Sequence, residues 1–186
     1  KSVSFNIEVK KFPGQISFGG PKVVCSGDTG VIYFSPFIAN YKYKWEIVGG
    51  TIVGPDSLFQ VKVNWGSPGG GALYLVQTNP KSCVSPKYIY TITVGSYPNE
   101  MNITPDTACE FSSNNLYEIT PTVGSSYNWL IFGGALQNNP KPHQALVRWN
   151  AEGDGKIALI ETNEFGCIGD TSWQKIAITT PHTDSI

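Results

Sequence analysis

The side chains of this 186-residue chain with the widest chemical reach are four cysteines, Cys25, Cys83, Cys109 and Cys167, and two histidines, His143 and His182. A cysteine can ligate zinc, attack as a thiolate or close a disulfide. Zinc sites call for Cys-x-x-Cys or similarly close pairs, and the sequence has none. It has two equal intervals of 58 positions, Cys25 to Cys83 and Cys109 to Cys167. Equal intervals fit two bridges of one kind, Cys25–Cys83 and Cys109–Cys167. In the chain-entropy treatment each would disfavour the unfolded state by roughly 4 kcal/mol. Such bridges imply an oxidising compartment: cell surface, secreted space or periplasm.

The remaining candidates make a thin case for catalysis, and the expectation is that the chain is not an enzyme. His143 stands at the start of a strand pattern, where an edge position is expected rather than a general base. His182 falls in the polar tail Pro181-His-Thr-Asp-Ser-Ile. Glu152 and Asp154 flank a glycine, as solvated turn acids do; a glycosidase needs two acids across a cleft. The same pair offers oxygens to calcium, but the matching stretch Pro68-Gly-Gly70 offers none, so no cofactor is expected. Aromatic residues are the stronger case: five Trp, nine Tyr and nine Phe could supply a flat platform for sugar rings. Trp173, with Tyr88 and Tyr90, is where a ligand or interdomain contact would be sought, because the other four Trp are matched in pairs by an internal repeat.

That repeat organises the chain. A shift of 84 positions lays Cys25 on Cys109, Tyr33 on Tyr117, Tyr43 on Tyr127, Trp45 on Trp129, Trp65 on Trp149, Thr78-Asn79 on Thr162-Asn163 and Cys83 on Cys167. Trp173 falls on Ile89. Apart from the Thr-Asn pair the positions so matched are aromatic or Cys, and within the repeat no charged residue or His lands on one of like charge, so a scaffold is shared and no reactive site is. Two domains follow, residues 1–97 and 98–186, each too small to bury a deep core. Period-two alternation, as in Phe59 to Trp65 and in Tyr43, Trp45 and Ile47, predicts strands. Gly66 to Gly71, matched by Asn150 to Gly155, reads as a hairpin loop. Twenty Gly and thirteen Pro between short strands predict an all-β chain of two tandem sandwiches, about seven strands each. Residues 1–12 resemble Tyr90 to Pro98, and read either as the last strand of a preceding repeat or as the opening strand of the first domain.

Net charge is −1, which gives no footing to nucleic acid or anionic membrane. Residues 1–97 hold nine lysines against four acids, +5, and residues 98–186 hold four basic residues against ten acids, −6. The asymmetry could favour end-to-end contact in a longer array. No apolar run approaches the roughly 20 residues of a membrane helix, so no membrane insertion is expected.

Pro21-x-x-x-Cys25, Tyr33, Tyr43-x-Trp45 leading to Gly49-Gly50, Val63-x-Trp65 and Thr78-Asn79 before Cys83 together resemble the PKD-like, immunoglobulin-like domains that stand in tandem on surface and secreted proteins of Bacteroidetes, some tied to gliding and to a dedicated secretion system. The same landmarks recur over residues 105–167. Where a PKD domain has an acidic turn after the Trp, Trp45-Glu-Ile-Val-Gly-Gly and Trp129-Leu-Ile-Phe-Gly-Gly stand instead, which weakens a calcium role. The resemblance implies extracellular display, spacing or adhesion, with neighbouring repeats and a protein or glycan as partners, and no reaction. A carbohydrate-binding appendage of a secreted polysaccharide-degrading enzyme is the alternative, and a segment docking on a protein of the secretion and gliding machinery is a third. Asn102-Ile-Thr104 fits an N-glycosylation acceptor. Asp56-Ser-Leu, Asp106-Thr-Ala and Asp184-Ser-Ile are similar to the O-glycosylation signal of Bacteroidetes.

Overall fold

Alternating apolar residues in short, glycine-bounded runs become strands wherever one face can be buried, and the computed structural model bears this out with fourteen of them among the residues it describes. It describes Ser4, Val9, Pro13, Gly14 and residues 16–180. Apart from Ser4 and Val9, the strand proposed for residues 1–12 lies outside the described residues, as do the tail with His182 and Asp184-Ser-Ile. The chain divides into two compact units, Lys1–Ser96 and Tyr97–Ile186.

In the first unit β1 is Val23–Cys25, β2 Val31–Phe34, β3 Lys42–Val48, β4 Gly50–Val53, β5 Gln60–Trp65, β6 Gly69–Thr78 and β7 Tyr88–Gly95. They form a four-stranded sheet, β1-β7-β6-β3, and a three-stranded sheet, β2-β5-β4. In the second unit β8 is Thr107–Cys109, β9 Asn115–Glu118, β10 Ser126–Phe132, β11 Gly134–Asn138, β12 Gln144–Trp149, β13 Gly153–Thr162 and β14 Ser172–Thr179. Their sheets repeat the arrangement, as β8-β14-β13-β10 and β9-β12-β11. Among the described residues each unit is an immunoglobulin-like β-sandwich of seven strands. Neighbours run antiparallel except β1 beside β7 and β8 beside β14, which are parallel.

The cores are built from the residues that the two units share. Tyr33, Trp45, Val63, Trp65, Leu73 and Leu75 are buried in the first, and Tyr117, Trp129, Val147, Trp149, Ile157 and Leu159 in the second. Buried indoles need an acceptor, and each finds the same one twice. Trp45 Nε1 donates to the Leu58 carbonyl at 2.8 Å and Trp129 Nε1 to the Pro142 carbonyl at 3.1 Å. Trp65 Nε1 donates to Tyr33 Oη, and Trp149 Nε1 to Tyr117 Oη. Rings set edge to face complete the second pair, with Tyr33 and Trp65 centroids 5.9 Å apart at 81°.

Gly66 to Gly71 is not the hairpin loop expected from the sequence. β5 and β6 belong to different sheets, so Gly66-Ser-Pro68 is an arch between layers, and Asn150-Ala-Glu152 repeats it between β12 and β13. The chain also changes layer at Gly49, whose φ of +83° suits glycine and whose carbonyl accepts the Gly66 N–H at 3.0 Å. The sequence shows only a short flexible link at each place. Just past the arch, the Trp65 ring lies over Gly71.

Candidate functional site: the cysteine ends and an outer face

Strand register fixes where each cysteine stands. Cys25 ends β1 opposite Gly95, the last residue of β7, and Gly69 at the start of β6 lies opposite Val94. Cys83 lies beyond the other end of β6, in a turn closed by Asn79: its carbonyl accepts the Asn79 N–H at 3.0 Å, and its N–H donates to Asn79 Oδ1 at 2.9 Å. The ten residues of β6 separate the two. At about 3.3 Å per residue that is about 30 Å, whereas a disulfide needs Cα atoms within about 7 Å. In the second unit Cys109 lies opposite Thr179 and Cys167 sits in the Asn163 turn, with β13 between. The expected bridges Cys25–Cys83 and Cys109–Cys167 therefore do not form. Cys25 and Cys167 are the disulfide-bonded cysteines, and Cys83 and Cys109 are free thiols. Each unit thus has a leading end, where its last strand starts, with Cys83 or Cys167, and a trailing end, where that strand stops, with Cys25 or Cys109. Pro98 lies beside Gly169 and the Met101 N–H donates to Ser172 Oγ at 2.8 Å, so the second unit's first residues do belong to its leading end.

Trp173 points outward from β14 and is 60% exposed. Ala158 is its partner on β13 and Leu130 is the partner of Ala158 on β10, so the three share the outer face. Phe132, 48% exposed, lies beside Trp173 with ring centroids 5.9 Å apart and planes at 33°. An apolar patch results, bordered by the Lys175–Asp154 ion pair at 3.0 Å. The first unit has Ile89, Val48, Glu46 and Tyr74 at these positions. There Lys87 pairs with Glu46 and holds its ammonium 4.7 Å from the Tyr74 ring centroid, so charge covers the face. Leu130 and Phe132 escaped the sequence reading. The signal was present, because both fall in the polar phase of Ser126 to Phe132.

Tyr88 and Tyr90 belong to the first unit. They occupy the inward phase of β7 and pack against the first core, with Tyr90 stacked on Phe18 at 5.2 Å and its hydroxyl donating to the Gly20 carbonyl at 2.8 Å. Their neighbour Ile89 holds the outward position. His143 Nε2 lies 3.7 Å from Glu118 Oε1 on the adjacent strand β9. Asp154 is tied to Lys175, and Glu152 donates its N–H to Glu110 Oε2 at 3.2 Å. Among the described residues no group of three or more His, Cys, Asp or Glu is placed to hold a metal ion, and no helix is long and apolar enough to cross a membrane. Asn102 is exposed beside the buried Ile103.

No protein-family model matches the chain. No curated protein matches it. Among solved structures it is similar to the fibronectin(III)-like modules of Clostridium thermocellum CbhA, at 13% identity over 92% of this chain and 100% of that one, with a TM-score of 0.43. It is also similar to the D00-D0 domain of intimin, at 10% identity over 88% and 99% of the two chains and a TM-score of 0.41. Domains 4 and 5 of the S-layer protein SbsC give 10% identity over 91% and 100%, with a TM-score of 0.33. Likeness at this level has no bearing on function.

Proposed function

We propose that the chain is a non-catalytic spacer or adhesion segment of a large bacterial surface or secreted protein. One observation carries this reading: the side chains common to both units are spent on the interiors, as the Tyr33–Trp65 and Tyr117–Trp149 pairs are, while the outer faces of the equivalent sheets have unrelated chemistry. A fold repeated for its interior supplies length and shape. Disulfide bonding of Cys25 and Cys167 suits an oxidising surroundings. The tandem PKD-like proteins of Bacteroidetes, including those tied to gliding and secretion, are the context that the sequence landmarks favour. The test is exchange of residues 13–180, within the parent protein, for an unrelated pair of β-sandwiches of equal length. Surface display and cell adhesion should survive the exchange and fall when one unit is deleted. Loss of adhesion on exchange at constant length would overturn the spacer reading.

The tilted Trp173–Phe132 pair favours a second reading, in which the outer face of the second unit stacks on a glycan or docks on a protein. Retention on polysaccharide affinity gels, lost in Trp173→Ala with the fold intact, would support it; equal mobility of both forms on every gel would remove it.

A further inference from the structure

Half of the cysteine positions in this repeat are bonded and half are open. The bonded ones are Cys25, at a trailing end, and Cys167, at a leading end. The open ones are their repeat equivalents, Cys109 at a trailing end and Cys83 at a leading end. Local structure matches at both. Cys25 is followed by a turn in which the Asp28 N–H returns to the Cys25 carbonyl at 3.0 Å, and after Cys109 the Ser112 N–H returns in the same way at 3.3 Å. Cys83 and Cys167 each donate an N–H to an asparagine side chain four residues back, at 2.9 and 3.0 Å. The backbone that presents a bonded cysteine is therefore built again around each free one. Cys109 is exposed and Cys83 half-buried, so access does not hold either back. Neither can reach the other cysteine of its own unit, across about 30 Å of sheet.

We propose that Cys83 and Cys109 are the two halves of a head-to-tail disulfide between units of this fold, so that Cys109 of one copy bonds Cys83 of the next. The polarity follows from the strand register, which puts unlike cysteines at opposite ends; contacts between unlike surfaces grow into open chains instead of closing as dimers. Charge favours the same direction, because Cys83 belongs to the half at +5 and Cys109 to the half at −6. With glutathione disulfide as oxidant, one cysteine thiolate displaces a glutathione thiol to give a mixed disulfide. The second cysteine thiolate then displaces the other glutathione, so each bond formed releases two glutathione thiols. This goes beyond the spacer reading, and its failure would leave that reading to its own exchange test.

The experiment incubates the whole chain with glutathione disulfide, follows it by non-reducing electrophoresis and maps the linked peptides. A ladder of covalent multimers joined Cys83 to Cys109 is expected, slower to form at high salt. Cys83→Ser and Cys109→Ser should each stay monomeric, and their equimolar mixture should stop at a dimer. The proposal is overturned if either variant alone dimerises through its remaining thiol as fast as the mixture does, or if the unaltered chain ends as a glutathione-capped monomer.

Discussion

The Trp65 indole N–H donates to the Tyr33 phenol oxygen at 3.1 Å, and 84 residues on Trp149 donates to Tyr117 at 2.9 Å, both inside closed cores. Removing either hydroxyl leaves a buried donor without its acceptor. Tyr33→Phe and Tyr117→Phe should each cost about 1–3 kcal/mol. Urea unfolding followed by Trp fluorescence reads the loss. A cost under about 0.5 kcal/mol, the scale of an ordinary surface change, would mean that water replaces the phenol.

The same two phenols set an alkaline limit. Burial pushes Tyr33 from its ordinary 10 up to about 12, against a smaller downward pull from the Trp65 hydrogen bond, and burial raises Tyr117 as well. The folded state then keeps protons that the unfolded chain releases above pH 10. This part of the stability is intact below pH 10 and declines as pH climbs through about 12. Urea midpoints taken between pH 9 and about 11.5 should fall, less steeply in Tyr33→Phe. Identical slopes in both proteins would refute the assignment.

Gly71 and Gly155 are required by the indole above each. A Cβ on Gly71 would stand 2.5 Å from Trp65 Cζ3, and one on Gly155 2.4 Å from Trp149 Cζ3. Alanine at either position should cost about 1–3 kcal/mol through overpacking. Alanine at Gly70, with open space around its Cα, should cost less than the Gly71 change. Equal costs at Gly70 and Gly71 would contradict the close approach.

At Glu161 the second unit is worse built than the first. In the first, Gln77 donates to Ser35 Oγ at 3.0 Å and receives the Ser85 hydroxyl as an acceptor for its N–H at 2.9 Å. The second unit has Glu161, 5% exposed, with Ile119 and Gly169 at the partner positions, and Glu161 Oε1 has no hydrogen-bond partner among the described residues. Glu161→Gln removes a buried charge at constant shape and should stabilise the unit by about 1 kcal/mol. Thermal unfolding checks the sign, and a lower melting temperature would show that the carboxylate has a partner.

Much of the sandwich was legible because alternation is a local signal: Tyr43, Trp45, Val63 and Trp65 declare their inward phase, and the repeat supplies each of them twice. Trp173 was legible as the exception for the same reason, since it replaces Ile89 on the outward phase. Tyr88 and Tyr90 misled because one position along a strand reverses the face. Long-range facts were hidden. A three-residue link looks alike whether it closes a hairpin or arches between sheets. An interval of 58 residues says nothing of which end of a sandwich either cysteine reaches; that depends on β6 and β13 spanning the whole sheet, and on β1 running parallel to β7.

That register is tested most directly by alkylating the unreduced, unfolded chain with iodoacetamide and mapping the four cysteines by mass spectrometry. Cys83 and Cys109 should be labelled, and Cys25 and Cys167 should appear labelled only after reduction. A peptide linking Cys25 to Cys83, or Cys109 to Cys167, would put both cysteines of a unit at one end of its sheet and contradict the strand order on which the two-ended unit depends.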